Sequence, residues 1–181
     1  EEKPSDQLEL SGGYGANQLV GTLGLSFNNF SARNTFRKGA WRPLPSGDGQ
    51  RLSLRGQTNG KYYQSYNVSF TEPYLGGKKP NSFSISVFHS IQSNGYSKEN
   101  PLRQSITITG ASVGLGKRLK KPDDFFSIYH EINYQYYVLK NYGSTFLFSD
   151  GVANNLSFQE TISRNSIDAP IYPRSGSQLS L

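Results

Sequence analysis

Apolar and polar residues alternate with a period of two almost from the start of the chain. Leu8, Leu10, Gly12 and Tyr14 stand against Gln7, Glu9, Ser11 and Gly13. After the small polar turn Gly15-Ala16-Asn17-Gln18, Leu19, Leu23, Leu25 and Phe27 oppose Val20, Thr22, Gly24 and Ser26. Successive side chains of a strand point to opposite faces, so the pattern predicts a hairpin with one apolar face. A 22-residue break follows, 28–49, with Pro43, Pro45 and the cations Arg33, Arg37, Lys38 and Arg42. Leu52 and Leu54 then alternate with Arg51, Ser53 and Arg55, and Asn59-Gly60 carries the signature of a two-residue hairpin turn.

Beyond that turn Tyr62, Tyr66, Val68 and Phe70 oppose Tyr63, Ser65, Asn67, Ser69 and Thr71. Residues 73–81 are turn chemistry throughout, and Phe83, Ile85 and Val87 then alternate with Ser82, Ser84 and Ser86. A polar loop, 94–101, leads to a sixth strand, 105–117, whose apolar phase slips near Gly110, which predicts a β-bulge there. After the turn Lys120-Lys121-Pro122-Asp123-Asp124, the residues Phe126, Ile128, Ile132, Tyr134, Tyr136 and Val138 mark a strand of some fifteen residues. Leu156, Phe158 and Ile162 mark an eighth, and a ninth begins at Gln178. Nothing in the chain carries a 3.6-residue apolar stripe over eleven residues, so helices are expected to be incidental.

Strands of soluble sheets average five or six residues, whereas several of these are about twice that length. Their second face is built from Ser, Asn, Gln and Gly rather than Lys and Glu, which fits a wall with lipid outside and a wet lumen inside. The expected fold is all-β: an antiparallel transmembrane β-barrel, present here as about eight to nine strands of a larger one, because a complete bacterial barrel has an even strand count. Tyr62, Tyr63, Tyr74, Phe125, Phe126 and Tyr142 near strand ends fit either interfacial girdles or plain strand packing.

Composition sharpens this picture. Hydrophobic residues make up 34% and charged residues 18%, while 25 Ser, 19 Gly, 14 Asn, 12 Tyr and 11 Phe fill the space between, too many rings for a disordered chain. No apolar run approaches the ~20 residues of a membrane helix. The absence of Cys removes disulfides, thiolate metal sites and thiol nucleophiles. His89 and His130 have no acidic or nucleophilic companion at motif spacing and are expected to be ordinary strand histidines. Gly110 to Arg118 superficially resembles a phosphate loop, but position 111 is Ala where its first glycine is required and Arg118 replaces the Ser or Thr that would hold magnesium. Asp123-Asp124 reads as a turn, and no carboxylates have calcium-loop spacing. The chain is therefore expected to be no enzyme, with no catalytic residue, no cofactor and no metal.

The net charge of +6 does not point to nucleic acid, because the cations lie in turns instead of alternating with aromatics on one face. By strand parity Arg33, Arg37, Lys38, Arg42, Lys78, Lys79, Lys117, Lys120 and Lys121 fall at one barrel end. With the first strand starting from the periplasm, that end is periplasmic, where the cations fit acidic partners, anionic headgroups or ordinary solvated turns.

Specific residues resemble a family. Ser69-Phe70-Thr71-Glu72-Pro73-Tyr74-Leu75, closing the fourth strand, is similar to the strand-end motif of the BamA family of outer-membrane assembly factors. Ser163-Arg164-Asn165-Ser166-Ile167-Asp168 and Ile171-Tyr172-Pro173-Arg174-Ser175-Gly176-Ser177 resemble that family's arginine-containing strand and its P-x-x-G turn. Leu8 to Gly15 resembles its first barrel strand, and the connection 28–49 is longer than the family's usual turn there.

The resemblance implies that residues 1–181 are the N-terminal half of a barrel of about sixteen strands in the bacterial outer membrane, with POTRA repeats and the remaining strands outside this segment. It implies folding and insertion of client β-barrel proteins at a lateral seam, in contact with unfolded clients, accessory subunits of the assembly complex and outer-membrane lipid. The main-chain edge Leu8-Glu9-Leu10-Ser11-Gly12-Gly13-Tyr14 would be the template for an incoming strand, with Gly12, Gly13 and Gly15 either easing its opening or simply fitting a tight barrel. A related translocating transporter, a passive outer-membrane pore and a soluble β-rich binding module are the competing readings.

Overall fold

A computed structural model of the chain describes residues 6–15, 18–41, 44–77, 81–142, 149–168, 171–172 and 174–181. The alternation becomes nine strands: β1 (Asp6–Gly15), β2 (Gln18–Phe30), β3 (Gln50–Asn59), β4 (Tyr63–Glu72), β5 (Asn81–Ser93), β6 (Ser105–Arg118), β7 (Phe126–Lys140), β8 (Gly151–Asn165) and β9 (Gln178–Ser180). One short 3-10 turn, Arg33–Phe36, interrupts the β2–β3 connection. The strands form a single antiparallel sheet in the order β1 to β9, each hydrogen-bonded to its neighbours in sequence, so the wall is an up-and-down meander. This is the all-β, partial-barrel architecture expected from the period-two pattern.

Register explains how the two faces stay separate. One cross-strand row runs Leu8, Leu25, Leu54, Val68, Val87, Ala111, Tyr134, Leu156. The row beside it, on the other face, runs Glu9, Gly24, Arg55, Asn67, Phe88, Gly110, Gln135, Asn155. A slip of one residue at any strand would mix the rows, so the face chemistry fixes the pairing. The apolar row is not a conventional core. Leu10 is 77% exposed, Val87 50% and Phe158 64%, while Ile106 and Leu139 are the buried hydrophobics among the described residues. The polar face carries cross-strand hydrogen bonds, with hydroxyl pairs Ser26–Ser53 at 3.1 Å and Ser86–Ser112 at 2.8 Å and the contact Ser84–Tyr129 at 2.8 Å, although the Asn133 side-chain oxygen is buried there without a hydrogen-bond partner.

Two local expectations are corrected. β6 pairs with β5 and β7 in unbroken register through Gly110, so no bulge lies there. The apolar phase changes because Ile106 turns to the polar face and meets Leu139 directly across β7, making a small dry plug near one end of the wall. Gly110 has a different reason: a Cβ on it would lie 2.6 Å from the Phe88 ring, which covers the glycine. The irregularity falls in β2, between Phe27 and Phe30. The β3–β4 hairpin also closes through three residues, Gly60-Lys61-Tyr62, with Tyr62 N–H donating to the Asn59 carbonyl at 3.1 Å and Gly60 in the left-handed region at φ 56°.

Candidate functional site

β1 lies at one edge of the sheet, with β2 as its strand neighbour. Around its glycines the pairing with β2 is poor in side chains: Gly12 sits opposite Gly21, Gly13 opposite Val20, and Glu9 opposite Gly24, whereas Leu8 and Leu10 face Leu25 and Leu23. Space does not demand these glycines. A Cβ on Gly13 would meet nothing within 4 Å, and one on Gly12 would make an ordinary 3.7 Å contact with the Val20 carbonyl. Glu9 leans across Gly24 to reach Arg55 on β3 at 3.5 Å, a long, exposed ion pair that ties β1 to the wall on the polar face. Leu8, Leu10 and Tyr14 project from the apolar face and are largely exposed. The edge therefore combines a main chain with little side-chain cover and a weak brace.

Phe70, Glu72 and Tyr74 build a knot at the end of β4, where Thr71 is paired in register with Arg51 of β3 and Ser84 of β5. Glu72 accepts the Tyr74 N–H at 2.9 Å through one carboxylate oxygen and the Gln50 side-chain amide at 2.7 Å through the other. Gln50 accepts the Ala32 N–H at 2.7 Å in turn, so Glu72 anchors both the turn after β4 and the β2–β3 connection. Phe70 meets Phe30 edge to face, with ring centroids 6.3 Å apart. Pro73 lies in the turn itself.

Arg164 builds a second knot at the end of β8. Its guanidinium donates from Nε to Asp123 at 3.1 Å, with Nη2 in ion-pair contact with the same carboxylate oxygen at 3.0 Å, and its Nη1 donates to Ser166 and Ser177 at 2.9 and 2.7 Å. The rings of Phe125 and Phe126 lie 5.6 and 5.8 Å from its guanidinium carbon. Gly176 has φ 105°, and a side chain there would collide with the Ser166 main chain, so glycine is required. Pro173 lies outside the described residues. Both knots occupy the same end of the wall, four strands apart, and are separate brackets.

The same end carries Arg33, Arg37, Lys38, Lys117, Lys120 and Lys121, as parity required, while Arg42, Lys78 and Lys79 lie outside the described residues. The β2–β3 connection is ordered by Asp48, which accepts from the Ser31 hydroxyl at 2.5 Å and from Arg33 at 2.6 Å. The Ser31 hydrogen bond first, and the Arg33 guanidinium second, hold the Asp48 carboxyl below its ordinary range, and the same pairing raises Arg33. Sequence spacing missed one pair. His130 lies 3.1 Å from Glu160 and stacks on Phe158, centroids 6.1 Å apart, because β7–β8 register sets His130 opposite Glu160. The signal was the facing of two strands, not motif spacing. Likewise His89 bonds Thr109 at 2.8 Å across β5–β6.

Long antiparallel strands in meander order, with apolar side chains outward and hydroxyls and amides inward, define a segment of β-barrel wall. Residues 46–181 match the family model described as the Omp85 superfamily domain, which spans β3 to β9. The chain belongs to the Omp85 superfamily. Membership together with the all-β fold points to an outer-membrane β-barrel protein of a family concerned with protein insertion or transport there. A search among curated proteins finds no match. β1, β2 and residues 31–45 lie outside the matched part.

Proposed function

We propose that this chain is the N-terminal part of the barrel of a BamA-type assembly factor, which folds and inserts client β-barrel proteins by offering β1 as a strand template at a lateral seam. The observation that carries the reading is the β1 edge: glycines at 12 and 13 that packing does not require, on a strand whose described pairing is with β2 on one side. An incoming strand gains main-chain hydrogen bonds along Leu8 to Tyr14, and side chains hardly constrain its sequence, which suits a factor serving many clients. The strand-end motif at Phe70 to Tyr74 and the turn around Arg164 and Gly176 support the same assignment, acting as brackets that keep the wall rigid behind the opening edge. On this reading the chain does no covalent chemistry and needs no cofactor. Its partners are unfolded barrel clients, accessory subunits of the assembly complex and outer-membrane lipid.

Strand axes in a paired sheet lie about 4.7–4.9 Å apart, close enough for disulfides between facing residues. These 181 residues contain no Cys, so a single substitution introduces the one thiol of this segment. Cys at Glu9, Ser11 or Gly13 of the full-length protein should crosslink to a Cys in the C-terminal strand of a stalled client. Cys at Ser84, on interior strand β5, should not. Equal crosslinking from both strands, or none from β1 while the client is bound, would refute templating at this edge. Crosslinks from β1 to a secreted passenger, with none to a barrel client, would place the chain among the translocating relatives.

A further inference from the structure

Where β6 passes into β7, a concavity of about 800 Å³ is lined by Lys117, Arg118, Lys120, Lys121, Asp124 and Asn81. Four cationic side chains, Lys117, Arg118, Lys120 and Lys121, line it against one carboxylate, Asp124. Arg118 Nε donates to the main-chain carbonyl of Asp124 at 2.6 Å, and the neighbouring Asp123 is taken by Arg164. Among the described residues no carboxylate lies within ion-pair distance of Lys117, Lys120 or Lys121. Three lysines therefore share one hollow with little local neutralisation, an arrangement that attracts an anion.

What lies beside the hollow decides the kind of anion. Lys117 continues the outward column Ala111, Val113, Leu115 on β6, and is flanked in register by Asn81 of β5 and Ile128 of β7. Phe83 and Ile85 of β5 and Ile132 of β7 face the same side of the sheet, so a half-exposed apolar strip runs directly up to the lysines. A lysine at the end of such a strip lays its methylenes along the apolar surface and holds its ammonium at the headgroup layer. We propose that this turn is a binding site for an anionic phospholipid, its phosphate held by Lys117, Lys120 and Lys121 and its acyl chains lying on the strip that ends at Leu115. The proposal rests on the transmembrane reading of the wall but not on β1 templating. Charge and apolar surface meet at one place, which favours an amphiphile over an acidic polypeptide. It would fix the depth of the wall at the strands behind the seam.

The test uses the full-length protein in bilayers of phosphatidylcholine and phosphatidylglycerol, with spin-labelled versions of each lipid. The motionally restricted component should favour the glycerol lipid several-fold. Lys117→Gln/Lys120→Gln/Lys121→Gln should abolish most of that preference, while Lys61→Gln/Lys98→Gln at the opposite end should leave it intact; heat-modifiable gel migration checks that both variants fold. Preference retained in the triple variant, or absent from the natural protein, would overturn the site. Binding of polyglutamate by the natural protein in pure phosphatidylcholine, without any lipid preference, would assign the hollow to an acidic polypeptide and also overturn it. Release of the protein from vesicles by alkaline carbonate would refute the transmembrane reading itself, a failure distinct from loss of this one site.

Discussion

Gly13 and Gly110 are the same residue serving opposite needs. At Gly110 a methyl group would run into the Phe88 ring at 2.6 Å and the Tyr134 carbonyl at 2.9 Å, whereas at Gly13 it would meet open space. Gly110→Ala should therefore destabilise the folded barrel by ~1–3 kcal/mol, as overpacking does, and Gly13→Ala should leave stability unchanged or raise it by up to ~1 kcal/mol by stiffening the unfolded chain. Urea titration of the full-length protein in lipid measures both, and equal losses would contradict the packing contrast. Facing gives a second residue-scale expectation. Val87→Arg, on the outward row, should cost ~2–4 kcal/mol if it lies near mid-bilayer, and Ser86→Arg, beside Ser112 on the polar face, clearly less. Facing was legible from alternation alone because it depends only on residue number within a strand. The glycine roles were not, because they depend on which residue sits across the sheet, and neither was the pairing of His130 with Glu160 thirty residues away.

Among the elements, the β2–β3 connection is the one whose sequence revealed least. Its prolines and cations mark a break, yet nothing in their spacing indicates that Asp48 closes on Ser31 and Arg33, or that Gln50 hands the segment on to Glu72. Motif resemblance located Glu72 without its bonding partners, since hydrogen bonds between distant segments leave no local pattern. The lowered Asp48 value sets the sign of a pH dependence. Its charged form is the one the folded connection favours, so its stabilising effect is complete above the ordinary carboxylate value of about 3.9 and is lost as pH falls through the lowered folded value. Trp41, the single tryptophan, donates its indole N–H to the Thr35 carbonyl at 3.0 Å and reports on this segment. Its emission should stay constant from pH 8 to about pH 5 and change only on deeper acidification, and Asp48→Asn should bring the acid-state emission to neutral pH. An emission change centred near pH 6.5, the histidine range, would contradict the assignment to Asp48.

The whole wall was the most legible level, since a meander needs only strands in order with turns between them. Counting strands places the connections 31–49, 73–80, 119–125 and 166–177 at one end, and 60–62, 94–104 and 141–150 at the other. If β1 starts from the periplasm, an epitope tag at Ser46 should be hidden from antibody in intact cells and one at Asn100 exposed. The reverse labelling would invert the topology while leaving the sheet order untouched. What sequence could not supply at this scale was the absence of a slip in β6, where a change in apolar phase mimics a bulge; only the pairing with both neighbours shows the phase change to be the plug of Ile106 on Leu139.

Strict neighbour-to-neighbour order also dictates a timetable. Joining adjacent strands costs loop-closure entropy that rises by only ~0.6 kcal/mol per doubling of the loop, and here the joints are short: three residues between β3 and β4, seven between β6 and β7. The sheet can grow like a zipper, one hairpin at a time, and the longest joint, the nineteen residues from 31 to 49, separates the β1–β2 hairpin from all the rest. That hairpin is accordingly the unit with the greatest independence in time, last to dock and first to leave. Amide exchange should register it as faster hydrogen exchange at Leu23 and Leu25 than at Val113 and Ile132, although all four lie within paired strands.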